Sequence, residues 1–448
     1  MSFEFFLIRW KRPWLRSEWV LNNRKSFFDL GLLWTGAIGA AIAGMLAQMI
    51  IARALGTNAY GTLSSALGLI SLAAPLTAFG VPQYWLKAFG EEGWIAIRWI
   101  RPAIKFWAIS TVIIGGALAL WAVIGPNDNF SEFLILALLP TLFSAALIEI
   151  IGSKFQLEQS YAKFVMLNVI TPIFRLAIAC VVLFFASDVN KLRFTGLGYF
   201  LASLIILAIL APQLIKLLWK DIDLKGHGSK ATCTVPPDKS ISHLLSESWV
   251  FGVAGLLYLA WAQGHIVAAK YALGSHDAGL YNASLVIVNA VCLLPTVAFS
   301  KFLLPKIHRW ASQNFEKLKV FSRWSSITMF GVGLMTAIFL YLGSGPAIRL
   351  AFGEGYGASE TILKVLAFTI PMRFLGYNAG AMLRTKQYMK LKVKALILAV
   401  VFNIVLAFFF IPRWGIIGLA ATVSITEFFL VATYVYLAEF CYFREERV

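Results

Sequence analysis

Two arginines, Arg175 and Arg373, stand inside long runs of apolar residues, each shortly after a proline (Pro172, Pro371). An ionisable group in such a run is costly, and it is usually kept where it faces a polar cavity or a counter-charge. The guanidinium stays protonated, and its planar fork matches the oxygens of a phosphate or carboxylate. A proline leaves backbone groups free and bends the helix that carries it. The functional expectation is that both arginines face a central cavity and hold an anionic ligand. The competing expectation is pairing with Glu149 or Glu427, the two acids that also lie well inside apolar runs.

Other charged groups mark the ends of runs. Arg53 and Lys270 close two of them at nearly equivalent places, and Lys87 and Lys301 close two more. Such cations could greet or release an anionic ligand, or simply snorkel to a membrane interface. The titratable candidates for carrying a coupling ion are His265, Glu427, Asp29 and Glu149. Imidazole titrates near pH 6.5, which suits a switch, although a His among apolar residues is more often a hydrogen-bonded packing group. Asp29 could equally complement a helix N-terminus. Asp221-Ile222-Asp223 has the spacing of a glycosyltransferase metal motif, but its loop is too short for a nucleotide-sugar domain. Asn129-Phe130-Ser131 and Asn282-Ala283-Ser284 fit a glycosylation pattern, yet both hug the ends of apolar runs. The four cysteines share no short spacing, so neither a disulfide framework nor a metal site is expected, and no cofactor is implied.

The elements that must position these groups follow from composition. Of 448 residues, 59% are apolar, 15% aromatic and 14% charged, with a mean hydropathy of +0.76. Soluble domains carry about 25% charged residues, so a water-soluble enzyme and a disordered chain are both excluded. A β-barrel would show short alternating segments. Instead twelve apolar runs read as transmembrane helices, at about 27–52, 60–86, 102–124, 131–152, 163–186, 195–217, 244–270, 278–303, 321–343, 359–384, 392–412 and 415–440. The expected class is an all-α polytopic membrane protein. With both termini in the cytoplasm, 30 Lys and Arg fall on the cytoplasmic side and 6 on the other. That asymmetry supports the orientation and accounts for much of the net charge of +17.

Residues 1–26 mix aromatic and basic residues, the composition of a segment lying in the membrane interface. Residues 218–243 form the longest loop and have linker composition. They divide the chain into bundles at 27–217 and 244–440, followed by a tail at 441–448. The halves echo one another. Ala54-Leu55-Gly56 and Gly61 recur as Ala272-Leu273-Gly274 and Gly279, 218 residues later. Pro140, Gln156 and Lys163 recur as Pro371, Gln387 and Lys394, 231 residues later. Repeats six helices apart share one orientation, and repeat-built transporters place substrate between the halves.

Arg53-Ala54-Leu55-Gly56 with Tyr60-Gly61, and Leu273-Gly274 with Gly279-Leu280-Tyr281, resemble loops of polysaccharide flippases. Leu350-Ala351-Phe352-Gly353-Glu354-Gly355-Tyr356 and the stretch from Ile411-Pro412-Arg413-Trp414-Gly415 to Gly418-Leu419-Ala420-Ala421 extend the likeness. Together the order of these motifs resembles the Wzx-type lipid-linked oligosaccharide flippases of the MOP superfamily, which also holds the MATE exporters and MurJ flippases. The resemblance implies a V-shaped pair of six-helix bundles that work by alternating access. It implies a polyprenyl-diphosphate-linked glycan moved from the cytoplasmic to the outer leaflet of a bacterial inner membrane. The diphosphate would then fall to Arg175, Arg373, Arg53, Lys270, Lys87 and Lys301. The implied partners are the lipid-linked glycan, membrane lipids, H+ or Na+, and other polysaccharide-assembly membrane proteins, with no nucleic acid. The chain departs from the family at His265, where an acid is common nine residues before the Leu-Gly glycine, and this bears on any ion coupling. A MATE-like ion-coupled exporter is the alternative. A glycan polymerase is disfavoured by short loops on the outer side, and no P-loop supplies ATP.

Overall fold

The computed structural model describes residues 17–186, 190–225, 236–297, 299, 303, 307, 315–383 and 389–443, with side chains from residue 31 onward. It is all-α, with no strand among the described residues. In lipid, backbone polar groups must be satisfied within the segment itself, and a helix does this for every residue. The N-terminal half holds α1 (Ser17–Ala78), α2 (Val81–Glu92), α3 (Ile100–Ile124), α4 (Asn129–Ala137), α5 (Leu139–Leu157), α6 (Tyr161–Phe185) and α7 (Lys191–Leu218). The C-terminal half holds α8 (Ile241–Leu273), α9 (Ser275–Val291), α10 (Leu293–Val297), α11 (Phe315–Leu342), α12 (Ser344–Phe352), α13 (Ser359–Ala367), α14 (Thr369–Met382) and α15 (Met389–Phe443). Residues 1–16 of the expected interfacial segment lie outside the described residues, and from Ser17 the chain is already part of α1.

All twelve apolar runs fall on helix over most of their described length. Seven helical stretches are long and apolar enough to cross a membrane. Two of them, Gly31–Ile124 and Leu391–Phe440, cover 94 and 50 residues, more than one crossing of about 20 requires. Both are broken internally. Gly56, with φ 74° and ψ 172°, interrupts α1, and Gly274, with φ 104° and ψ 173°, separates α8 from α9. That conformation is essentially restricted to glycine, which is why the same Leu-Gly pair recurs at the same place in each half. Gly415 breaks α15 in a similar way.

The runs 131–152 and 359–384 are each split, at Leu138 and at Phe368. Pro140 and Pro371 stand in the first turn of the helix that follows, where a missing N–H costs little. Pro172 behaves differently: α6 runs through it unbroken, so no interruption precedes Arg175.

Large apolar side chains such as Val112, Phe184 and Phe408 face outward, as lipid-facing positions do. The buried residues form three clusters. One belongs to the N-terminal half near the linker and includes Trp85, Trp99, Phe155 and Leu217. A second belongs to the C-terminal half and includes Phe299, Leu318, Met382 and Tyr434. The third is shared by both halves and contains Tyr60, Leu63, Tyr281, Phe352 and Tyr356. Following the chain, the first two lie at the end of the bundle that carries the linker, and the third extends to the opposite, far end.

The described parts of the linker bind the N-terminal half closely. Ile222 and Leu224 enter its core, and Lys225 N–H donates to the Leu157 carbonyl at 3.3 Å. Asp238 pairs with Lys220 at 2.6 Å and with Arg101 at 3.6 Å. Two apolar side chains in alternation are enough to pin a segment whose overall composition reads as a tether.

Candidate functional site

The far end is a seam between the two halves. The part of α1 beyond Gly56 crosses α9, and the crossing is close enough to exclude any side chain. A Cβ on Gly61 would strike the Ser275 carbonyl, and one on Gly279 would strike the Thr57 carbonyl. Gly61 and Gly279 are equivalent positions of the repeat, as are Thr57 and Ser275. The helices therefore meet about a local pseudo-twofold axis. Along the same seam Asn282, 218 residues after Ser64, donates to the Ser64 hydroxyl at 2.8 Å and to the Tyr60 hydroxyl at 2.8 Å. Tyr60 in turn donates to Gln48 Oε1 at 3.1 Å. The Tyr356 hydroxyl donates to the Ala52 carbonyl at 2.9 Å. Asn282 and Tyr356 thus find their partners on the opposite half.

Two of the expected cations work in this seam. Arg53, from the N-terminal half, donates through Nε to the Ala351 carbonyl at 3.0 Å and through a second nitrogen to the Leu350 carbonyl. Those carbonyls end α12, where the helix dipole favours a positive charge. Lys270, from the C-terminal half, donates to Asp128 Oδ1 at 3.0 Å and to the Ser275 hydroxyl. Burial by itself would raise the Asp128 carboxyl, but the Ser131 hydroxyl and the Lys270 ammonium outweigh it and hold it below the usual carboxylate range. Tyr271 donates to Asn127 at 2.9 Å and accepts from the Trp121 indole at 2.8 Å, adding two neutral ties. Each half thus reaches a cation onto the other, and neither side chain simply snorkels.

At the linker end the halves touch through the first turns of α8. A Cβ on Gly252 would meet the Phe79 ring, and His243 stacks on Trp99 at 5.5 Å. Lys87 is exposed on α2 and makes no ion pair among the described residues. Lys301 lies outside the described residues. So does the side chain of Asp29, whose backbone is part of α1.

The arginines inside apolar runs are not brought together. Arg373, on α14, points into the C-terminal half. Its Nε lies 3.6 Å from Glu427 Oε2 on α15, with side chains 15% and 9% exposed, and one terminal nitrogen donates to Asn289 Oδ1 at 3.2 Å. Glu427, one of the two acids within apolar runs, is the counter-charge of Arg373 in this arrangement. A desolvated guanidinium with no anion would be far costlier than this pair.

His265 lies in the same half. The Asn403 amide nitrogen donates to Thr426 at 2.9 Å, so its oxygen is the acceptor for His265 Nε2 at 3.2 Å. Trp261 stands edge-on to the imidazole at 6.1 Å. His265 and Glu427, two of the four titratable candidates, thus lie in the interior of one half. Glu149 is an exposed carboxylate on α5 and makes no ion pair among the described residues.

Arg175 is also turned inward, into the N-terminal half. It stacks over the Tyr199 ring at 5.6 Å, in a cleft walled by α5, α6 and α7. In this arrangement Arg175 and Arg373 thus lie in different halves. The hydropathy of a helix does not reveal which neighbour a single polar side chain faces. The seam residues Asn282, Tyr60 and Ser64 are absent from the sequence-based site. Their signal was available, because Asn282 and Ser64 share the offset of the glycine pair.

No family model matches the chain. It is 25% identical over 145 residues to the capsular polysaccharide biosynthesis protein CapF of Staphylococcus aureus, covering 31% of this chain and 35% of that protein. It is 23% identical over 249 residues to the probable low-salt glycan biosynthesis flippase Agl15 of Haloferax volcanii, covering 53% of this chain and 51% of that protein. The chain thus spans about a third and about half the length of these curated relatives. Among solved structures it resembles the lipid II flippase MurJ in an inward closed conformation, with a TM-score of 0.67 at 14% identity over 90% of this chain and 87% of that one. It also resembles an inward-facing multidrug resistance MATE family transporter of the MOP superfamily, with a TM-score of 0.64 at 13% identity over 93% of this chain and 95% of that one.

Proposed function

We propose that this chain, a multi-pass membrane protein with the fold of the MOP-superfamily transporters, is a flippase for a polyprenyl-diphosphate-linked oligosaccharide. The glycan would pass from the cytoplasmic to the outer leaflet by alternating access. The relatives named for polysaccharide and glycan biosynthesis support the substrate class. The Lys and Arg distribution supports a cytoplasmic linker end, and with it an inner-membrane protein with both termini inside.

The observation that carries this reading is the use of charge at the far-end seam. In the closed arrangement Arg53 and Lys270 are satisfied by the opposite half, through the end of α12 and through Asp128. Parting the halves removes those partners and bares both cations toward the gap. A diphosphate entering the gap replaces the lost acceptors, so the headgroup stabilises the open state. Lys87, exposed at the linker end, meets the headgroup first, and Lys301, which closes the corresponding run of the second half, would act beside it. Arg175 and Arg373 face the interiors of their own halves and are not assigned the diphosphate. Coupling to H+ or Na+ would act through the cluster that holds His265 and Glu427.

An ion-coupled exporter of small molecules on the same fold is the second reading, with Glu149 as the group that would attract a cationic drug. The sign of the seam charges favours an anion. The deciding experiment measures the sidedness of lipid-linked glycan with an impermeant probe, in cells with and without the protein. Depletion traps glycan on the cytoplasmic leaflet, and so does the Arg53→Ala, Lys270→Ala variant once its presence in the membrane is verified. Glycan that reaches the outer leaflet without the protein, with redundancy excluded, would overturn the substrate and leave export as the reading.

A further inference from the structure

We propose that the N-terminal half holds a resident small-anion site at Arg175, of a size that suits a halide such as chloride. The site is separate from the seam, and the proposal does not depend on what the protein transports.

Three observations point to an anion as the ligand. First, Arg175 makes no hydrogen bond or ion pair with any described residue, and its one contact of that kind is the face of Tyr199 at 5.6 Å. A guanidinium inside a helix bundle without a counter-charge is expensive, and a π-face compensates only part of that cost. The other arginine inside an apolar run, Arg373, does have a carboxylate. Second, no carboxylate lines the cleft, whose walls carry Thr141, Ser144, Thr171, Tyr199 and Ser203. Third, the Thr171 hydroxyl is enclosed and has no partner.

The remaining hydroxyls narrow the donor set. Ser144 donates to the Thr141 carbonyl at 3.1 Å, and Ser203 donates to the Tyr199 carbonyl at 2.8 Å. Thr141 lies 2.9 Å from Ser203, whose own proton is committed, so Thr141 is the donor there. The protons of all three are therefore used. Thr171 is different: it stands one turn before Arg175 on the same face of α6, and its proton is free. The Arg175 guanidinium and the unpartnered Thr171 hydroxyl line one small space, which the Tyr199 ring also walls. A monatomic halide suits so small a space better than a diphosphate, and it supplies the negative charge that a water molecule lacks.

The test uses the purified full chain in neutral detergent. Thermal unfolding is followed in chloride and in gluconate at equal ionic strength. The expected result is a higher Tm in chloride, with saturation as chloride is raised, as binding to the folded state alone requires. Arg175→Met should remove the chloride dependence and Arg175→Lys should keep part of it. Thr171→Val should weaken the apparent chloride affinity by about tenfold, the loss of one hydrogen bond to an ion. If Arg175→Met does not fold, crystals of the unaltered protein grown in bromide give the answer through anomalous scattering beside Arg175. A Tm indifferent to halide, or a bromide map with no peak there, overturns the proposal in favour of water. A Tm raised by anionic lipid regardless of halide overturns it in favour of a lipid phosphate.

Discussion

The pair formed by Arg373 and Glu427 should behave as one unit in unfolding measurements. At 3.6 Å, two unit charges attract by about 5 kcal/mol at an effective dielectric of about 20. Removing both from water offsets most of that gain, so the net worth of the pair is small. Removing one partner is another matter, because the survivor stays desolvated without a counter-charge, at a cost of about 3–5 kcal/mol. Both side chains are nearly enclosed, so the lower part of that range should apply. Arg373→Met and Glu427→Gln should each destabilise the protein by about 3 kcal/mol. The double variant Arg373→Met, Glu427→Gln should fall short of their sum by about 2 kcal/mol or more. The loss of the Arg373 contact with Asn289 enters Arg373→Met and the double variant equally, so it cancels from the coupling. The assay is reversible unfolding of the solubilised chain, compared across the four corners of the cycle. Strictly additive single variants, or single variants that cost nothing, would show that the two charges do not support each other and would refute the reasoning.

The seam offers further tests. Gly61→Leu places a side chain against the Ser275 carbonyl, so it should hold the far end open; a cysteine at Ser64 then becomes reactive toward an impermeant thiol reagent from the far side, where it is protected in the parent. A short thiol crosslinker joining Ser64→Cys to Asn282→Cys should stop transport, and reduction should restore it. Acidifying the far side should loosen the seam. The Asp128 carboxyl sits below its usual range, so its support for closure is complete above the ordinary carboxylate pKa and is lost as pH falls through the lowered value. Asp128→Asn should reproduce that loss at neutral pH. Because Asp128 is 53% exposed, the effect should be at most about 1 kcal/mol, or roughly fivefold in the labelling rate of the Ser64 cysteine. Lys87→Glu should slow transport and leave Tm nearly unchanged, since the side chain is exposed and supports no packing.

Much of the fold is legible because lipid leaves the chain few options. Long apolar runs must become helices, and the Leu-Gly pairs that end two of them mark breaks that only glycine accommodates. The repeat is legible for a related reason: close helix crossings require Gly61 and Gly279 in both halves. The direction of individual side chains is not legible in this way. Arg373 and Glu427 are 54 residues apart, and nothing in either run states that α14 and α15 turn those faces together. Arg175 looks equivalent to Arg373 by composition, yet it meets hydroxyls and a phenol ring where the other meets a carboxylate. Asn282 enters the sequence only through a glycosylation pattern, and its role becomes visible when its position is compared with Ser64 across the repeat.

The seam also constrains how its two faces can change. An interface in which Gly61 faces the turn before Gly279, and Ser64 faces Asn282, has the form of an isologous dimer contact folded into a single chain. In a dimer of identical halves, every mutation at such a contact strikes twice, and a change that suits one copy must suit both. Two halves in one chain are free of that constraint. Ser64 and Asn282 occupy equivalent positions of the repeat with two different side chains, and only a single chain, unlike a dimer of identical copies, can set a hydroxyl on one face against an amide on the other. The covalent link thus allows the two faces of the seam to evolve as a complementary pair, each free to change as long as the other answers.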